Sequence, residues 1–218
     1  MSKLALVTGG SGAIGGATAA LLRERGWTVE APTRREMDMD SGLGWSTYSP
    51  PTRRSSDELG ALIFCHGEWF SESAAHQGAS VWSEQYQSRV IQPFLVVYWN
   101  IESLVRGAGC VVMVSSTRGF IGGVNTGPYA AACAAQIALM QGYAREWPGV
   151  RFNCVAPGHT AGRMGDKVAA SGGAKAGSVP QDPAAVAAAI VGLVEGNETG
   201  QVLRVVDGQT TRARWVWE

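Results

Sequence analysis

Residues Thr8-Gly9-Gly10-Ser11-Gly12-Ala13-Ile14-Gly15 form a run of small side chains between an apolar stretch, 4–7, and an apolar-periodic stretch through Leu21 and Leu22 that stops at Gly26. That order predicts a buried strand feeding a helix through a turn where a ligand can lie close to the backbone. The exposed N–H groups at the start of such a helix, with the positive end of its dipole, suit a phosphate. A second strand over 27–31 completes the start of a βαβ unit. The same turn with no ligand is the plainer alternative, since a glycine-rich turn alone is weak evidence.

Pro32-Thr33-Arg34-Arg35 follows that second strand, where a dinucleotide fold meets the adenosine ribose. A carboxylate there favours a free 2′-hydroxyl and arginines favour a 2′-phosphate, so Arg34 and Arg35 point to NADP over NAD. Two solvated surface arginines are the competing reading. Glu36-Met37-Asp38-Met39-Asp40 reads as a brief strand with an acidic end, which puts Asp38 among the candidate cofactor residues.

The remaining elements set these residues in place. Strands are expected at 62–65, 110–115, 151–156 and 201–206, and helices at 81–106, 127–147 and 183–195, with Pro93 a kink or boundary in the first of them. Residues 32–60 read as an irregular crossover, and 159–180, rich in Gly, Ala and Ser, as a long connection or a substrate lid. Strands alternating with helices give a doubly wound parallel α/β sheet of Rossmann type, three layers in a single domain over 1–218. Ligands in such sheets gather at the carboxyl ends of the strands. Those ends carry residues 8–15, 33–35, 65–67, 115–118 and 157–160.

Composition narrows the partners. The formal net charge is zero and the pI about 6.8, which gives no basic surface for nucleic acid. The longest apolar runs are too short for a bilayer, and a cytoplasmic location is expected. Cys65, Cys110, Cys133 and Cys154 have no zinc-type spacing, so no metal is implied. Trp69 and Phe70, just past the strand at 62–65, are placed to wall a pocket.

Taken together, these motifs resemble the short-chain dehydrogenase/reductase family over nearly the whole chain. Residues 8–15 are similar to its TGxxxGxG turn, with Ala13 in place of the middle glycine. Phe64-Cys65-His66-Gly67 stands where the family has NNAG, and Ser116 and Tyr129 share the thirteen-residue spacing of its catalytic pair. The strand ending in Pro157-Gly158, and Thr199-Gly200-Gln201-Val202-Leu203 followed by Asp207-Gly208, match its later strands. The resemblance implies an Asn-Ser-Tyr-Lys tetrad. In it, Tyr129 exchanges a proton with the substrate oxygen and Ser116 hydrogen-bonds that oxygen. It also implies cofactor contacts from Gly9, Ser11, Gly12, Ala13, Ile14, Gly15, Cys65, His66, Gly67, Pro157 and Gly158.

Two tetrad positions differ. Cys133 stands four residues after Tyr129, where the family has lysine, and Arg89 stands seven after Trp82, where the family has asparagine. A thiol supplies no fixed positive charge, so Arg89 is expected to replace the lost ammonium beside Tyr129; an outward, salt-bridged Arg89 is the alternative. His66 beside the adenosine and His159 near the nicotinamide are further candidates, or plain turn residues.

Three functions follow: an NADP-dependent oxidoreductase acting on a carbonyl or alcohol of a small, fairly apolar substrate; a non-redox cyclase, dehydratase or isomerase using Tyr129 and Ser116; or a silent cofactor-binding protein. A homodimer or homotetramer is expected through the alanine-rich helix.

Overall fold

In a computed structural model, residues 2–32, 58–175 and 177–213 are described. Arg34, Arg35, Asp38 and the expected strand at 36–40 lie outside them. Among the described residues, seven strands form one sheet: β1 Leu4–Thr8, β2 Thr28–Glu30, β3 Ala61–Phe64, β4 Cys110–Val114, β5 Arg151–Pro157, β6 Val202–Val206 and β7 Gln209–Arg212. Their order is β2-β1-β3-β4-β5-β6-β7, all parallel except the β6–β7 pair. The chain is a doubly wound α/β domain, with helices on both faces.

Alternation along the strands explains the layers. Leu6, Leu62, Phe64, Val111, Met113, Phe152 and Cys154 point to one face and pack against Val96, Leu104, Ile137 and Met140. Ala5, Val7, Ile63, Val112 and Val155 point to the other and pack against Leu22, Val186, Ile190 and Val194. Both faces are covered, so β1, β3 and β4 read as unbroken apolar runs. The helices are α1 Ala13–Glu24, α2 Ala79–Tyr86, α3 Gln92–Arg106, α4 Gly127–Glu146, α5 Arg163–Ala170 and α6 Pro183–Glu195, of which α1, α3, α4 and α6 cover the sheet.

Three local features differ from the sequence expectation. The helix expected over 81–106 begins at Ala79 and is interrupted by a π-helical turn, Gln87–Ile91, just before Pro93. Proline has no N–H for the carbonyl one turn back, and the widened turn absorbs that defect. The strand expected at 201–206 is not the last, because Asp207, with positive φ, and Gly208 turn the chain into β7. The stretch expected as a lid or connection at 159–180 contains α5, whose apolar side is narrow.

The switch point of the sheet lies between β1 and β3, on either side of which the chain winds in opposite directions. The glycine turn sits there. Gly12 begins α1 with no capping side chain, so the first N–H groups face outward. A Cβ on Gly15 would clash with the carbonyl oxygen of Gly9 and approach its carbon to 2.7 Å. Gly15→Ala is therefore expected to cost about 1–3 kcal/mol, read as a lower denaturant midpoint; an unchanged midpoint contradicts this packing.

Candidate active site

The carboxyl ends of β1, β3, β4, β5 and β6 border one cavity of about 1420 Å³. Its walls include Gly9, Ser11, Gly12, Ala13, Ile14 and Gly15 from the first turn, and Cys65, His66 and Gly67 after β3. Ser116 after β4, Tyr129 on α4, Arg89 on the π turn, and Pro157 and Gly158 after β5 complete them. Every candidate site residue within the described part of the chain therefore lines a single cavity.

Each side chain is held by its element. Ser116 ends β4 and caps the short 3-10 turn Thr117–Gly119, accepting from the Arg118 N–H at 3.2 Å. Tyr129 and Cys133 lie one turn apart on α4, both buried, with the neighbouring Ser115 hydroxyl donating to the Cys133 carbonyl at 2.9 Å. The π turn carries Arg89 inward. Among the described residues it is the one charged side chain that is buried, at 2% exposure.

The guanidinium lies over the Tyr129 ring, with Cζ 4.4 Å from its centre, and donates to the Glu68 carbonyl at 3.1 Å. Such a desolvated cation–π contact contributes about 2 kcal/mol. Gly67 makes room for it, because a Cβ there would stand 2.8 Å from the guanidinium carbon. Trp69 also packs against Tyr129, edge-on, with ring centres 4.8 Å apart.

Burial pushes the Tyr129 phenol up to about 12, and the Cys133 thiol adds to the rise. Arg89 and a hydrogen bond with Ser116 pull it down without cancelling it. Burial likewise raises Cys133, against the pull of Arg89, so the thiol is protonated at neutral pH. Burial lowers the Arg89 pKa, but Cys133, Tyr129 and Glu68 outweigh it, and the guanidinium stays charged. Burial also raises Cys65 to about 12 and Cys110 to about 11, which leaves both as unreactive thiols.

Elsewhere on the rim, His66 shares a 2.7 Å hydrogen bond with Thr8 that ties the second turn to the first. His159 faces the Gly165 carbonyl at 3.0 Å. Three contacts hold the segment over 159–180, which lines part of the cavity: Trp69 Nε1 to Ser171 at 3.0 Å, Lys167 to Glu68 at 3.4 Å, and Arg118 to the Gly173 carbonyl at 2.6 Å. Arg118 and the Trp69–Tyr129 contact were not anticipated as a site; the spacing of single residues in separate loops gives no signal for them. Among the described residues no group of His, Cys, Asp or Glu is placed to hold a metal, and no helix is long and apolar enough to cross a membrane.

A family model described as short chain dehydrogenase matches residues 52–172. The chain belongs to this family. Among curated proteins it is similar to the protein MoaE of Klebsiella aerogenes, 26% identical over 185 residues, covering 77% of this chain and 72% of that protein. It is also similar to the (3R)-3-hydroxyacyl-CoA dehydrogenase of Mus musculus, 27% identical over 205 residues and covering 77% of each. Among solved structures, ElxO with NADP bound superposes with a TM-score of 0.77 at 22% identity, covering 95% of this chain and 98% of that one. Within the short-chain dehydrogenase fold, this chain carries a thiol and a buried guanidinium around the tyrosine.

A buried guanidinium without a carboxylate within ion-pairing distance costs desolvation energy that an apolar side chain does not. Arg89→Met is therefore expected to melt at or above the temperature of the native chain. A loss of several degrees would mean that Arg89 serves stability and not the site.

Proposed function

We propose that the protein is an NADP-dependent oxidoreductase that reduces a carbonyl, or oxidises the matching alcohol, with Tyr129, Ser116 and Arg89 around the reacting oxygen. The observation that carries the reading is the convergence of those three side chains on a cavity continuous with the glycine turn. The hydroxyacyl-CoA dehydrogenase relatives and the NADP-bound structural neighbour support it.

The residues present fit a dinucleotide. The uncapped start of α1 and the Gly9–Gly15 turn offer N–H groups and close backbone approach to a pyrophosphate. Cys65, His66 and Gly67 would border the adenosine side, and Pro157 and Gly158 the nicotinamide side. Arg34 and Arg35, with Asp38 nearby, are proposed to meet the 2′-phosphate. When bound, the cofactor supplies the hydride.

The protein's own part is acid–base chemistry. At neutral pH a phenol with a pKa near 12 is protonated, so Tyr129 is an acid poised to donate to a carbonyl oxygen. Ser116 holds that oxygen in the phenol's reach. Arg89 favours the tyrosinate left after donation, the role the family's lysine holds. Cys133 is walled off behind Tyr129 and offers no charge to the cofactor ribose. That substitution is the one observation favouring a non-redox isomerase or dehydratase on the same residues, or a silent binding protein.

Ile91 at the end of the π turn and Phe94, Tyr98 and Val105 on α3 are exposed at helical spacing, with Phe94 and Tyr98 stacked at 6.3 Å. We propose that two copies pair through it, with the small-residue face of α4 alongside.

The pH response separates the directions. Reduction uses the protonated phenol and is expected to stay flat through neutral and mildly alkaline pH. Oxidation uses the tyrosinate and is expected to rise about tenfold per pH unit toward 12. Tyr129→Phe is expected to lower kcat by about 10²-fold or more while NADPH still binds. Full activity in Tyr129→Phe would remove the mechanism. For the assembly, light scattering is expected to give a dimer or tetramer in the native chain and a smaller species for Tyr98→Asp; a native monomer refutes the pairing.

A further inference from the structure

The helix that enters the site carries more polarity than the proposed chemistry needs. Gln85, Ser88, Arg89 and Gln92 follow one another at helical spacing, on α2, the π turn and the start of α3, and all four line the cavity. Gln85 and Arg89 are buried, at 4% and 2% exposure. Gln85 Oε1, Arg89 Nε and Gln92 Oε1 are shut away from solvent, and none has a hydrogen-bond partner among the described residues. Buried polar atoms are nearly always paired in folded chains, so three unpaired atoms on one cavity-lining stripe mark a place where a ligand, with rotation of the two amides, completes the bonding.

The charge says which ligand. Arg89 donates one Nη2–H to the Glu68 carbonyl, and its close neighbours Tyr129 and Cys133 are neutral at physiological pH. The Glu68 carboxylate is engaged by Lys167. The cavity lining carries five cations against three carboxylates, counting Glu68. A guanidinium in that setting matches a carboxylate, with two N–H groups in a fixed fork, and the amides of Gln85 and Gln92 flank it with donors once rotated.

Resting on the proposed carbonyl chemistry, we propose that Gln85, Arg89 and Gln92 form a carboxylate subsite and that the substrate is a short-chain oxo acid or the matching hydroxy acid. The guanidinium lies 4.4 Å from the Tyr129 ring centre, close enough for one short substrate to carry its carboxylate to Arg89 and its carbonyl to Tyr129. This narrows the small, fairly apolar substrate expected from the sequence to an anionic one. A carboxylate on Arg89 offsets part of its field at Tyr129 and keeps the phenol protonated, the form that donates to a carbonyl.

The test uses the full chain with NADPH and a matched series: pyruvate, acetoacetate and levulinate, each beside its methyl ester. Binding is followed by calorimetry and reduction by NADPH absorbance. At least one acid is expected to exceed its ester about tenfold in affinity and in kcat/KM, the effect of one charged hydrogen-bonded contact. Gln85→Leu is expected to raise KM for that acid more than KM for its ester, with a smaller change in kcat than in KM. Arg89→Lys is expected to keep part of the acid preference and Arg89→Gln to lose it. Esters reduced as well as acids, or an acid preference that survives Arg89→Gln, overturn the subsite and leave the oxidoreductase standing. Acids bound in preference to esters with no NADPH oxidation support the subsite and overturn the redox reading. Absence of both binding and oxidation overturns both.

Discussion

A positive charge is held in the interior against the face of a phenol, and the local architecture is arranged around that contact. The π turn before Pro93 brings Arg89 inward, Gly67 leaves space for its guanidinium, and the Glu68 carbonyl accepts one of its N–H groups. Removing a guanidinium from water costs several kcal/mol, and a cation–π contact returns about 2. One backbone hydrogen bond does not close that gap. A side chain kept at such a cost is better accounted for by chemistry at the cavity than by folding.

The contact also links the tyrosine to α5. Glu68 gives its carbonyl to Arg89 and its carboxylate to Lys167 of α5, while Trp69 packs edge-on against Tyr129 and hydrogen-bonds Ser171 just beyond the same helix. The segment over 159–180 is thereby tied to the two residues that flank the Arg89–Tyr129 contact.

Much of the frame was legible in the chain. Apolar runs such as Ala61–Phe64 and Cys110–Val114 announce strands covered on both faces, and the Gly9–Gly15 turn announces the first crossover. The thirteen-residue spacing of Ser116 and Tyr129 pointed to residues that the fold brings to one cavity. The π turn was hidden, because Pro93 signals a defect without saying whether the helix bends, stops or widens. β7 was hidden because Gln209–Arg212 is polar and exposed, an edge strand with no apolar face to reveal it. The position of Arg89 seven residues after Trp82 placed it in the site, but Gln85, Ser88 and Gln92 carry no such signal, and only tertiary packing brings them to the cavity. Arg34 and Arg35 lie outside the described residues, so the proposed preference for NADP over NAD rests on the chemistry of those side chains.

The most direct measurement is the ionisation of Tyr129 itself. Replacing it with a fluorinated tyrosine, whose lower intrinsic pKa brings the transition into an accessible range, allows titration in the native background and in Arg89→Gln. The account predicts that loss of the guanidinium moves the transition upward by about one unit or more. An identical transition in the two proteins would show that the cation does not act on the phenol and would contradict the account.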